Sequence, residues 1–161
     1  TPLGSSTANG QALVVIEGGT GSSQPFDSLI IANNMLVEPV LGAQSPNAFS
    51  ILSFTNRATV DSTILANNNY FKAPENVQGQ AFRILAPAQN FNTYTAWRAS
   101  VTTDTTSRAV QPLFLADSLL VPSSLAIDNA GNGRFSVSND LTGSTRSQAT
   151  PDVGAYEFTG L

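Results

Sequence analysis

Cysteine and histidine are both missing from the 161 residues. Without cysteine there is no disulfide framework and no thiol nucleophile. Without histidine there is no Ser-His-Asp triad, no imidazole general base and no His-ligated metal within this chain. Absence of cysteine does not assign a reducing compartment, because a repetitive core can stand in for covalent staples. Charge is scarce too: charged residues are 11% of the chain, the net charge is −4, and Lys72 is the sole lysine among seven cations. No basic run is present to release counterions from a phosphate backbone, so nucleic acid is disfavoured as a partner. An anionic membrane surface is disfavoured on the same ground. No apolar run approaches the roughly 18 residues of a membrane span. No signal peptide is visible, and Thr1 is not a natural start, so an upstream piece is expected to have been removed.

What is abundant is uncharged polarity. Asn, Ser, Thr and Gln surround an apolar content of 41%, a composition suited to short strands joined by many turns. A repeat organises it. DSLIIANN (Asp27 to Asn34) returns as DSTILANN (Asp61 to Asn68) 34 residues later, with six of eight positions identical. A second set interleaves with the first: Ala12 to Ile16, Ala48 to Leu52 and Ala81 to Leu85, spaced 36 and 33 residues. One unit therefore reads as a short apolar strand, a polar turn, a second strand ending in Asn-Asn, and a loop. Units begin near Gln11, Asn47 and Gln80, and the third replaces its DS-ANN copy with the aromatic-rich FNTYTAW, Phe91 to Trp97. Helical periodicity is poor, except that Thr93 to Ser100 fits a short helix with Asn92 as its N-cap.

Such units cannot bury an apolar face alone and must stack as a solenoid does. The expectation is an all-β, right-handed parallel β-helix of about three coils plus a C-terminal cap. It forms a single domain over 1–161, with repeat coils over 10–90 and a terminal coil and cap over 91–161. Asn33 should lie beneath Asn67 and Asn34 beneath Asn68, their amides bonding along the axis as in stacked Asn ladders; a plain Asn-Asn turn is also a reasonable reading, and the ladder is favoured over a functional amide pair. An antiparallel sandwich is the alternative fold, but tight hairpin signals are scarce and the self-similarity runs at coil length.

The C-terminal third carries a resemblance. Trp97 is followed by Thr103-Asp104 and Ser107, then Gln111-Pro112-Leu113-Phe114, then Ser124-Leu125-Ala126-Ile127-Asp128 leading to Gly131. Asp140, Gly143 and Arg146 follow, and Asp152-Val153-Gly154-Ala155-Tyr156-Glu157-Phe158 closes the set. Residues 91 to 158 thereby resemble the end of bacterial exported right-handed parallel β-helix proteins with pectate-lyase-like repeats. Thr103, Gln111 and Leu125 depart from that pattern, where a Gly, an Asp and a Pro are usual. The resemblance implies the fold, a secreted or cell-surface location, and a structural part for Trp97, Asp128, Asp140, Arg146, Asp152 and Tyr156 in the cap. It does not imply catalysis, because function belongs to sites rather than folds.

Candidate chemistry is thin. Asp128, Asp140 and Asp152 recur every 12 residues, and DNAGNG (Asp128 to Gly133) looks superficially like a calcium loop; it lacks the ligand spacing and terminal Glu of one. Turn capping, or pairing with Arg134 and Arg146, is the plainer role. Asp27 and Asp61 would stack about 5 Å apart in successive coils, a spacing that suits a glycosidase pair but also two Asp-Ser turns at strand starts. A lyase base would have to be Lys72, or Arg57 or Arg83 on repeat strands, with a lowered pKa. Tyr70, Tyr94 and Trp97 could stack sugars, or, with Tyr156 and Phe158, pack the helix end.

The chain thus reads as a non-catalytic structural or glycan-binding module of an exported bacterial surface protein, with a polysaccharide as candidate ligand. The alternatives are the C-terminal portion of a β-helical polysaccharide lyase or glycosidase, or a self-assembling filament or surface-layer subunit. No capping helix precedes Leu13, so the N-terminal coil is expected to dock on an upstream part of the same protein or on another chain. No cofactor is expected, calcium being the one ion with any sequence support.

Overall fold

The computed structural model describes residues 11–16, 29–38, 49–72, 81–115 and 120–159. Its strands are short, as a sequence punctuated by Asn, Ser, Gly and Pro requires. In chain order they are β1 (Gln11–Ile16), β2 (Leu29–Ala32), β3 (Met35–Glu38), β4 (Phe49–Asn56), β5 (Thr63–Ala66), β6 (Asn69–Lys72), β7 (Phe82–Ala86) and β8 (Gln89–Phe91). Two helices interrupt them, α1 (Arg57–Asp61) and α2 (Tyr94–Ser100).

Three sheets share the strands: β1-β4-β7-β8, β2-β5 and β3-β6. Every pairing is parallel except β7 with β8. Parallel partners need a long crossover, and here each crossover visits the other two sheets before returning. The 34-residue repeat is therefore a physical period. Leu29 lies on Thr63, Ala32 on Ala66, Met35 on Asn69 and Glu38 on Lys72, one unbroken register through two sheets and the corner between them.

The first sheet keeps a different register from the one its sequence similarity suggests. Val14 pairs with Leu52 and Ile16 with Phe54, an offset of 38 rather than 36. Leu52 pairs with Phe82 and Phe54 with Ile84, an offset of 30 rather than 33. The second shift is odd, so it exchanges the faces of the strand. The cause is β4, whose Ile51, Leu52 and Phe54 are all fully buried. A strand apolar on both faces carries no alternation to choose between them. The choice falls to the aromatic core: Phe54 and Phe82 both stack on Trp97, at 6.0 and 5.0 Å between ring centroids, and Phe91 meets Trp97 edge-on at 5.5 Å.

The helices correct three further expectations. Arg57 opens α1 instead of lying on a strand, and Asp61 closes that helix while β5 begins at Thr63. Asn56 caps α1, accepting from the Thr59 amide at 2.8 Å. The N-cap of α2 is Thr93, not Asn92: its hydroxyl accepts from the Ala96 amide at 3.2 Å. The α2 helix brings Trp97, fully buried, against the ends of β4 and β7. The β7–β8 hairpin, centred on a cis Ala86-Pro87 peptide bond, was not anticipated either; it lays an antiparallel strand on the last parallel edge and ends growth of that sheet. Among the described residues no helix is long and apolar enough to cross a membrane.

Because Trp97 joins β4, β7 and β8, truncation to Ala should cost about 3–5 kcal/mol. Urea unfolding of Trp97→Ala measures this, and a loss under 1 kcal/mol would show that the aromatic stack is not the core.

Candidate functional site

The Asn-Asn doublets form the corner between the second and third sheets. Asn33 and Asn67 adopt left-handed backbone conformations, φ 58° and 52°, which asparagine tolerates better than most residues. The chain thus turns in one residue and enters the next strand. Asn34 and Asn68 meet amide to amide: Asn68 Oδ1 accepts from the Asn34 backbone amide at 3.0 Å and from its Nδ2 at 3.2 Å. Asn68 Nδ2 donates to the Ile31 carbonyl and to the Tyr70 hydroxyl, 2.8 and 3.1 Å. Asn33 and Asn67 do not bond to each other through their side chains. They reach sideways to the C-terminal segment, Asn33 exchanging two bonds with the Asn132 backbone and Asn67 donating to the Ala130 carbonyl.

A third rung continues this column. The Asn67 amide donates to the Thr106 hydroxyl and the Asn68 amide to the Ser107 hydroxyl, both at 3.0 Å. Asn69 clamps Val110 with both ends of its side chain, at 2.9 Å each. Among the described residues β8 and α2 stand where the earlier units have their second strand, and no third strand joins β2 and β5; only the Asn-Asn corner has a counterpart. Thr106-Ser107 stand where the earlier units have Asn-Asn, 39 residues on, and only the change from amide to hydroxyl hid the equivalence.

Behind that rung lies Asp104, fully buried. One carboxylate oxygen accepts from Trp97 Nε1 at 3.0 Å; the other, Oδ1, has no hydrogen-bond partner. Burial raises the pKa of Asp104, against the opposing pull of the Ser107 hydroxyl, Trp97 and the Tyr70 hydroxyl. Tyr70 is raised by its own burial and by the Asp104 charge. Tyr94, whose hydroxyl donates to the Asp104 carbonyl at 3.0 Å, is pushed up to about 12 by burial and then by Asp104.

In front of the same residues opens a cleft of about 630 Å³. Tyr70, Phe82, Tyr94, Thr95, Ser107 and Arg108 line it. Lys72 and Arg98 also line it, so three cations share one cavity. Tyr70 and Tyr94, named from the sequence as sugar-stacking candidates, lie 5.7 Å apart between ring centroids. Trp97, the third candidate, is buried in the core and takes no part in the cleft. Arg98 and Arg108 were missed; each adjoins a core residue, Trp97 or Ser107, and that adjacency was the available signal.

The remaining sequence candidates have structural contacts. Asp140 caps a turn, its Oδ1 accepting from the Thr142 amide, the Thr142 hydroxyl and the Ser144 amide at 2.7–2.8 Å. The Thr142 hydroxyl, followed by the backbone amides of Glu157, Ser144 and Thr142, holds its pKa at about 2. Asp152 is buried and ties the Asn129 and Phe158 amides together, 2.6 Å each, while burial raises its pKa. Asp128 accepts from the neighbouring Asn129 side chain. Among the described residues Arg146 does not pair with an Asp carboxylate. Its ion pair is with Glu157 at 3.3 Å, and its other nitrogens serve the Gly154 and Asp152 carbonyls. Arg134 lies over the Phe135 ring, and Tyr156 is half-buried. DNAGNG is explained by close approach: a Cβ on Gly133 would lie 2.0 Å from the Gln148 carbonyl oxygen. Among the described residues no group of three or more Asp or Glu is placed to hold a metal ion. Of the glycosidase pair, Asp27 lies outside the described residues, and Asp61 is ion-paired with Arg57 at 2.8 Å.

The tail runs along the Asn corner. Gly154 donates to the Asn33 carbonyl, Asn132 meets Asn33, Ala130 meets Asn67, and Ala126 and Ala130 accept from Arg108. The segment 126–154 thus touches all three rungs along the corner.

No family model, no curated protein and no solved structure matches the chain.

Since the folded pKa of Asp104 is raised, its stabilising contribution is complete below its unfolded value of about 4 and is lost as pH rises through the folded value. Asp140 is opposite: its contribution holds above about 4 and fades as pH falls towards 2. The stability of Asp104→Asn relative to wild type should therefore increase between pH 4 and pH 7. Thermal unfolding across that range measures it, and a constant difference would contradict the buried carboxylate.

Proposed function

We propose that the chain is the C-terminal part of an exported, right-handed parallel β-helix. In this reading it works as a structural, glycan-binding module at a cell surface and does not itself catalyse a reaction. The in-register parallel rungs support the fold, together with the resemblance of residues 91 to 158 to the ends of exported β-helices. The strands β1, β2 and β3 form one edge of their sheets among the described residues, and an upstream part of the same protein, or another chain, is the partner proposed for that edge.

One observation carries the binding role: the cleft combines a half-buried tyrosine ring with exposed hydrogen-bonding side chains on a rigid frame. Tyr94 presents a flat apolar surface, and Asn92, Thr93 and Thr95 beside it are exposed. Sugars take this combination because their C–H faces stack on aromatic rings while their hydroxyls hydrogen-bond to amides and hydroxyls. The volume lies within the range of small-ligand sites.

Retention on immobilised polysaccharides tests the reading. The protein should be retarded without release of soluble product. Tyr94→Leu, which keeps apolar packing but removes the flat ring, should weaken retention roughly tenfold. Failure to bind any glycan would overturn the reading, and accumulation of unsaturated oligosaccharides would replace it with the lyase.

A further inference from the structure

We propose that Asp104 is a proton-controlled latch on the cleft: protonated, it fastens α2 to the third rung, and ionised, it releases α2. The latch is independent of what the cleft binds. Asp104 stands where two parts of the lining meet. On one side α2 contributes Tyr94, Thr95 and Arg98; on the other are Ser107 and Arg108. Asp104 ties them through backbone and side chain together. Its carbonyl accepts from the Tyr94 hydroxyl and its carboxyl from Trp97 Nε1, 3.0 Å each. Three residues on, the Ser107 hydroxyl accepts from the Asn68 amide at 3.0 Å, so the tie continues from α2 into the Asn column. Arg57 holds only the far end of the helix, at Ser100.

The surroundings of the carboxyl make its proton decisive. Asp104 is fully buried, its Oδ1 has no hydrogen-bond partner, and no cation pairs with it among the described residues. A buried carboxylate with one good donor and no counter-ion is costly. The neutral acid avoids that cost and can donate to a hydroxyl oxygen; the hydroxyls of Ser107 and Tyr70 stand beside it. Few titratable or charged groups face it. Burial, then the Asp104 charge, raises the pKa of Tyr70 on β6 and of Tyr94 on α2, so both stay neutral over the range concerned. Arg98 on α2 favours ionisation, but it is exposed, where solvent and salt weaken its pull. Arg108 on the third rung gives its terminal nitrogens to the Ala126 and Ala130 carbonyls. Opening of α2 would let water reach the carboxyl and return it towards its ordinary pKa of about 4. The closed helix therefore holds the proton more tightly than the open one. The fastening is complete below about pH 4 and is lost as pH rises through the raised, folded value. Local opening costs less than global unfolding, so α2 responds while the coils stay folded.

Native-state hydrogen exchange of the whole chain tests this without any ligand. The Trp97 and Val101 amides, bonded to Thr93 and Trp97, report α2; the Asn33 amide, bonded to Ala66 between the first two coils, is the reference. After correction for intrinsic exchange, protection at Trp97 and Val101 should fall between pH 4 and pH 7, by up to about tenfold per pH unit above the folded value, while Asn33 holds. In Asp104→Asn, which keeps an acceptor for Trp97 and cannot ionise, that fall should vanish. The indole N–H of Trp97, the single tryptophan of the chain, should shift along the same curve in the wild type. Flat protection of α2 in the wild type, or the same fall in Asp104→Asn, overturns the latch. If the variant does not fold, the wild type still decides: an indole resonance that titrates together with α2 protection supports the latch, and one unmoved across the range overturns it.

Discussion

The buried amide of Asn68 is the constraint on which the rest of the structure depends. A fully buried side-chain amide must find partners for its oxygen and nitrogen or carry a desolvation cost of about 1–3 kcal/mol. Asn68 finds them only if rungs sit in one register: its oxygen serves Asn34 of the first coil, its nitrogen serves Ile31 and Tyr70, and its backbone reaches Ser107 and Arg108 of the third. A slip of one residue would break the contacts to Ile31, Asn34, Ser107 and Arg108 together, leaving only the local one to Tyr70. Apolar stacking supplies the cohesive energy, through Ile16, Phe54 and Ile84 in one column, but it is indifferent to small slips. The polar column removes that indifference.

The cleft arises where this periodicity stops. In the first two coils β2 and β5 fill the second sheet. In the third, β8 folds back on β7 and α2 crosses the space, so that Tyr70 and Phe82 are covered from the side by Tyr94. The chain then rejoins the column at Thr106-Ser107. The broken repeat leaves a concavity bounded by β6, α2 and 107–109. The tail stiffens it, because 126–130 holds Arg108 in place while 130–154 is held by Asn33 and Asn67. The Asn corner thus acts twice, aligning the coils and docking the segment that positions a cleft residue.

The sequence made the second and third sheets legible because DSLIIANN and DSTILANN share length, turn residues and side-chain chemistry. Residues 29–32 and 35–38 each lie on their counterparts 34 positions later. The first sheet was less legible, since β4 is buried on both faces and its alternation carries no face preference. The third rung was hidden by chemistry: hydroxyls replace amides, and a hairpin and a helix intervene. The cleft was hidden for another reason. Lys72, Arg98 and Arg108 are 10 to 36 residues apart, and only the crossing of α2 over β6 brings them to one cavity. In the tail, Asp140 was legible as a turn-capping residue, whereas the long-range tie made by Asp152 and the partner of Arg146 were not, because Asn129 and Glu157 reach them only through the tertiary fold.

In-register parallel stacking at 34 residues is the central claim, and the absence of native cysteine makes it directly measurable. Ile30 and Ile64 are exposed and directly paired, within bridging distance on adjacent strands. Ile30 and Ala66 are two residues out of register, about 8 Å apart by strand geometry, beyond disulfide reach. Under mild oxidation the folded Ile30→Cys, Ile64→Cys protein should cross-link readily and the Ile30→Cys, Ala66→Cys protein should not. Equal cross-linking of both, or preference for the second, would contradict the register and with it the column that organises the molecule.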